Sequence, residues 1–201
     1  MRGREGVKRQ SRLRYLARIV RVYARPSTGP LSFWYERPEI NERSFGGDEY
    51  FMCEALRLAN KAAVAGEVPI GAIVVRAGKI IGRAYNQVEL LKDATAHAEM
   101  LALTQAEAAV GDWRLTDCDL YVTKEPCAMC AGALVHTRIR RVIFGCTDPS
   151  AGAAGSVINL LQMPGFNHQC DIASGVLQNE CAAILRDFFR KRREERDPGS
   201  V

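Results

Sequence analysis

The 201-residue sequence predicts a three-layer α/β/α domain built on a mixed sheet. Three observations carry this. From about residue 48 to residue 193, stretches with helical apolar spacing alternate with short β-branched runs. The first two runs are close enough to form a hairpin, while helices separate the second, third and fourth. The length suits one core-bearing domain with a modest extension, too short for a second full domain.

The first predicted helix runs from Asp48 to about Ala65, with Phe51, Ala55, Leu58, Ala59 and Ala62 at helical spacing and Gly66 at its stop. Pro69–Val75 and Lys79–Tyr85 are strands joined through Arg76-Ala77-Gly78. A helix follows from about Thr95 to Val110, then a strand at Leu120–Thr123 and a helix from Cys127 to about His136. Arg141–Gly145 is a fourth strand and Asp171–Ala173 a fifth at an edge, before a closing helix over Leu177–Arg193. The Gly/Ala/Ser-rich stretch Ala151–Ser156 reads as a loop over a site.

Residues 1–46 form a basic extension, and the domain occupies 47–201. The Ser44-Phe45-Gly46-Gly47 stretch is the joint between them. The net charge of +5 is uneven: residues 1–35 carry nine Lys or Arg against one acid. Residues 36–185 carry 13 against 18, and residues 186–201 carry six against four. Basic ends suit nucleic-acid phosphates or a solvated tail. The Arg-rich start also fits an organelle transit peptide, the alternative to a cytoplasmic enzyme. No apolar run reaches the roughly 20 residues of a spanning helix, so no membrane is expected.

Seven cysteines, two spaced Cys-x-x-Cys, fit a reducing compartment and a metal site better than a disulfide framework. Cys53, Cys118, Cys146, Cys170 and Cys181 read as buried apolar fillers. The chemistry concentrates in His97-Ala98-Glu99 and in Pro126-Cys127-Ala128-Met129-Cys130, each at the start of a predicted helix. Cys127 and Cys130 are about 300° apart around a helix, on one face, so both thiolates reach one ion. A helix N-terminus favours the thiolate form. His97 and Glu99 lie about 200° apart and converge only if the site caps the helix end. Two facing helix N-termini would therefore enclose one zinc ion with one nitrogen and two sulfur ligands. His136 and His168 lie outside the motifs, leaving the fourth position to water, which zinc acidifies to near neutrality. Glu99 is then free to act as general acid/base.

His-x-Glu followed by Pro-Cys-x-x-Cys resembles the signature of the zinc nucleobase deaminases of the cytidine deaminase superfamily. Glu67-Val68-Pro69-Ile70-Gly71-Ala72, Tyr85-Asn86, Thr95 to Glu99, Glu125 to Ile139 and Gly152-Ala153-Ala154-Gly155-Ser156 extend the likeness to the bacterial-type tRNA-specific adenosine deaminases of the TadA type. The likeness covers about residues 47–193. It implies the cytidine deaminase-like fold with a mixed five-stranded sheet and one zinc ion per subunit on His97, Cys127 and Cys130.

The reaction implied is hydrolytic deamination of adenosine to inosine at the wobble position of a tRNA anticodon, with Glu99 moving protons. The resemblance also implies that Asn86 hydrogen-bonds the flipped nucleotide, where its residue-level alternative is an Asx turn. The anticodon stem-loop would meet the closing helix, where Phe188, Phe189, Arg190 and Arg193 combine stacking surface with charge. One of the two phenylalanines is expected to anchor the helix and the other to face RNA. A homodimer is implied too, with the apolar helix from Cys130 to Val135 as an interface surface.

Two residues depart from the family pattern. Lys124 precedes Glu-Pro-Cys where an apolar residue is more usual, and Ser150 stands where Lys is common. Three rival readings remain at this level. A free-base or free-nucleoside deaminase would keep the same signature, a structural zinc module would add a fourth protein ligand, and a redox Cys-x-x-Cys would hold little metal.

Overall fold

The computed structural model describes residues 47–196, so the basic extension over 1–46 and the last five residues lie outside the described residues. Backbone contacts separate the chain into residues 1–50 and 51–201. Of the first unit only 47–50, the opening turn of helix α1 (Gly47–Val64), are described.

Strands β1 (Gly71–Arg76) and β2 (Lys79–Tyr85) form the predicted hairpin. Its turn is the two residues Ala77 and Gly78, at φ of 47° and 75°. Two positive φ values match the right-handed twist of the flanking strands, and Gly78 supplies one without strain. After the one-turn helix α2 (Val88–Leu91) come α3 (Ala98–Val110), β3 (Cys118–Lys124), α4 (Ala128–His136), β4 (Arg141–Cys146), β5 (Asp171–Ser174) and α5 (Gln178–Arg196).

The five strands make one sheet in the order β2-β1-β3-β4-β5. β1 pairs antiparallel with both β2 and β3, whereas β3, β4 and β5 run parallel. The sheet is therefore mixed, as the sequence predicts. β1, β3 and β4 are the inner strands, and their near-continuous burial fits strands covered on both faces.

Helix α3 sits close against β2 because Ala98, Ala102 and Ala106 present only methyl groups to the sheet. A Cβ built on Gly82 would lie 2.3 Å from Ala102 O, so this contact needs glycine. Leu115, Leu120, Leu134, Ile139, Ile143 and Leu161 are fully buried in the core. Each contributes roughly 1.5–3 kcal/mol relative to exposure.

Several element edges differ from expectation for local reasons. The face of α1 that is buried is Met52, Cys53, Ala55, Leu56, Ala59 and Ala62, while Phe51 and Leu58 are half-buried and the Phe51 ring lies 5.1 Å from that of Tyr121. α3 starts at Ala98, not at about Thr95, because Asp93 Oδ1 accepts from both N and Oγ1 of Thr95 and holds a turn there. α4 starts at Ala128 with Cys127 as its N-cap. α2 has no counterpart in the sequence reading.

Candidate active site

His97 and Cys127 occupy equivalent places. Each is the extended N-cap residue of its helix, α3 and α4, and neither side chain caps its own helix. Both are thus released toward the space between two helix N-termini, where the helix dipoles favour negative charge. His97 Nδ1 stands 3.7 Å from Cys127 Sγ and 3.5 Å from Cys130 Sγ. Nitrogen and sulfur bound tetrahedrally to one zinc ion would be about 3.6 Å apart, from the usual bond lengths. The three donors lie within 4.8 Å of one another, the one such group among the described residues. The donor set and its spacing fit zinc.

The two thiols are unequal. Cys127 is lowered to about 3 by hydrogen bonds from Cys130 and His97, which favours its thiolate form. Cys130 is pushed up by its hydrogen bond to Cys127 and by burial, which favours its protonated form. His97 is raised, chiefly by its hydrogen bond to Cys127. A divalent ion entering this group would release the shared proton.

Glu99, in the first turn of α3, is buried, and its Oε2 has no hydrogen-bond partner among the described residues. Burial raises its pKa above the ordinary carboxylate value. An orphaned buried carboxylate oxygen is costly, by roughly 1–3 kcal/mol or more, and calls for a role.

A second buried carboxylate, Glu125, fixes the loop over this site. Its oxygens accept from Asp148 N at 2.9 Å, from Ala154 N and Ser156 N at 3.0 Å, and from Ser156 Oγ. Burial works upward on Glu125, but these bonds outweigh it and hold the carboxyl low. Ala153 N also donates to Pro126 O at 2.8 Å. A Cβ on Gly152 would lie 2.4 Å from Glu125 Cδ, so glycine lets the loop close.

Lys124 and Ser150, the two departures, meet on one residue. Lys124 Nζ lies 2.7 Å from Asp148 Oδ2, and Ser150 N and Oγ donate to Asp148 Oδ1 at 3.1 and 2.7 Å. Burial alone would raise Asp148, yet Lys124 and Ser150 bring it down to about 2.

Asn86 follows β2 and is buried. Gln87 N donates to Ala96 O at 3.0 Å, which ties the Asn86 segment to the one delivering His97. On α5, Phe188 is half-buried beneath the Arg192 guanidinium, 5.4 Å from its ring centroid, whereas Phe189 is exposed. Arg190 is exposed and pairs with Asp187 and Glu194, and Arg193 is exposed.

The remaining histidines stand apart from the donor group. His136, at the other end of α4, stacks on Trp113, and His168 Nε2 donates to Ile139 O at 2.8 Å. Cys53, Cys118, Cys146, Cys170 and Cys181 are buried, and burial pushes Cys118 up to about 11 and Cys170 to about 12. They are inert fillers, as expected. Cys130, Ala131, Leu134 and Val135 are spent on the chain's own core. Of the stretch Cys130–Val135 expected to form an interface, only Gly132, exposed, and Ala133, half-buried, lie outside it.

Fold, donor set and buried glutamate define a deaminase, and the MafB19-like deaminase family matches residues 47–193. Among relatives, the tRNA-specific adenosine deaminase of Bacillus subtilis (strain 168) is 50% identical over 149 residues, covering 74% of this chain and 92% of that protein. That of Haemophilus influenzae is 46% identical over 150 residues, covering 74% and 87%. A solved structure from work on A-to-I editing by tRNA:A34 deaminases at the wobble position of transfer RNA is 44% identical. It covers 68% of this chain and 99% of its own, with a TM-score of 0.66. A guanine deaminase from Nitrosomonas europaea, 23% identical over 82% of this chain and 96% of its own, shares the fold at a TM-score of 0.63. The chain belongs to the tRNA-specific adenosine deaminase family.

Glu67, Glu125 and Asp148 are absent from the site as read from sequence alone. Glu67 and Glu125 do fall inside the family-like segments, but nothing in their spacing says what they bond.

Proposed function

We propose that this protein hydrolyses the wobble adenosine of a tRNA anticodon to inosine. The observation that carries the chemistry is Glu99, a buried carboxylate with an unpartnered oxygen on the helix end that presents His97. Zinc held by His97, Cys127 and Cys130, one ion per chain, would supply Lewis-acid activation of water near neutral pH. Glu99 takes a proton from the attacking water and delivers it to the leaving nitrogen. The C6–O bond forms, the exocyclic C6–N bond breaks, and adenine plus water becomes hypoxanthine plus ammonia. Its raised pKa suits a group that must both take and give a proton.

Asn86 binds the flipped nucleotide, and the loop fixed by Glu125 forms the wall above α4. Phe189, Arg190 and Arg193 meet the anticodon stem-loop, with Phe188 as the anchor of α5. The relatives' names support tRNA as the substrate. Residues 47–201 make the deaminase domain, two copies associate, and the enzyme works in the cytoplasm. No described helix is long and apolar enough to cross a membrane.

Glu99→Gln tests the proton role. It should lower kcat by about 10²–10⁴-fold while leaving zinc content and the unfolding midpoint close to wild type. Undiminished turnover would remove Glu99 from the mechanism.

A further inference from the structure

Glu67 is a charged side chain buried to 1% exposure in the bend between α1 and β1, and the mechanism does not use it. Its carboxylate takes three hydrogen bonds. Oε1 accepts from Leu90 N at 2.7 Å, and Oε2 accepts from Glu89 N at 3.2 Å and from Asn86 Nδ2 at 3.1 Å. The first two cap α2, whose own N-cap residue, Gln87, makes no side-chain cap bond. The third reaches the residue to which nucleotide binding is assigned above.

An ionised carboxylate only accepts hydrogen bonds, while a primary amide has a donating and an accepting end. Glu67 therefore forces the NH2 of Asn86 toward itself and turns Oδ1 the other way. Asn86 Oδ1 accepts from none of the described residues. We infer that Glu67 is a positioning residue that locks the Asn86 amide so that it meets the nucleotide as an acceptor, toward a substrate N–H or O–H. The inference rests on the proposed substrate role of Asn86 and adds its polarity. Without the lock, the amide could present either end, and half of its orientations would set a donor against a donor.

A donor–acceptor swap tests this. Asn86→Asp alone places a second carboxylate against Glu67 and should lower kcat/KM on wobble-adenosine tRNA by at least about tenfold. Adding Glu67→Gln restores a donor facing the introduced carboxylate, at the loss of the bond from Glu89 N, and leaves an acceptor free for substrate. E67Q/N86D should therefore recover at least about tenfold over N86D, although E67Q by itself lowers kcat/KM. Zinc content and unfolding midpoint are measured for every variant. A double variant no better than N86D, with both folded and zinc-loaded, would overturn the lock. Should N86D fail to fold, E67Q alone decides: wild-type kcat/KM overturns the inference, and a tenfold loss with zinc retained supports it. Asn86→Ala separates the two readings. Full activity there removes the substrate contact itself, whereas a large loss without rescue in the swap overturns only the role of Glu67.

Discussion

At the residue scale, buried carboxylates are handled in opposite ways. Glu67 and Glu125 have their oxygens saturated by backbone and side-chain donors. Glu99 keeps one oxygen unpartnered in the same interior. Saturation fixes the loops, and the unsatisfied oxygen is the one to which proton transfer is assigned in the proposed mechanism. The Lys124–Asp148 pair is a third case, and it sets an acid limit. Asp148 falls from 3.8 to about 2 in the folded protein, so its stabilisation is complete above the unfolded value. That stabilisation is lost as pH drops from about 4 to about 2. Lys124→Met should cost about 1–2 kcal/mol at pH 7, measured by urea unfolding, with the difference from wild type shrinking below pH 4. A pH-independent difference would place the effect of Lys124 elsewhere.

At the element scale, the site exists because α3 and α4 bring their N-termini to the same end of the sheet. α3 reaches that position through the methyl-sized contact of Ala102 with Gly82. Gly82→Ala should destabilise the fold by about 1–3 kcal/mol and reduce zinc retention, both read from thermal unfolding with and without chelator. An unchanged midpoint would show that the helix has room to spare. The alternation of elements was legible because the first helix carries apolar residues at helical spacing and β1 and β2 are short β-branched runs joined by a turn. The convergence of His97 with Cys127 and Cys130 was legible from helix geometry once both motifs were placed at helix starts. The short helix α2 was not, because its cap comes from Glu67, 22 positions before Glu89, and no local signal encodes it. For the same reason Lys124 and Ser150 read as separate departures, although both serve Asp148.

At the scale of the whole molecule, α5 ends in a basic segment with Arg190, Lys191, Arg192 and Arg193 in sequence. These four are not equivalent. Arg192 Nη2 donates to Gly66 O at 2.8 Å and covers Phe188, so it also holds the helix against the body of the domain. Arg190 and Arg193, both exposed, are the two proposed for RNA. Replacing both with Ala should raise KM for tRNA severalfold with kcat little changed, and should reduce the salt slope of binding by about one per residue. An unaltered salt slope would remove them from the RNA surface.

The proposed substrate is adenosine within tRNA, turned over at the one donor group found among the described residues. The most direct measurement incubates the zinc-loaded protein with tRNA carrying a wobble adenosine, and separately with free adenosine, guanine, cytosine and cytidine, following inosine and ammonia. Inosine formed at the wobble position, with no ammonia from the free compounds, is the predicted result. Turnover of a free base or nucleoside with the tRNA left unchanged would contradict the claim while sparing the assignment of His97, Cys127, Cys130 and Glu99.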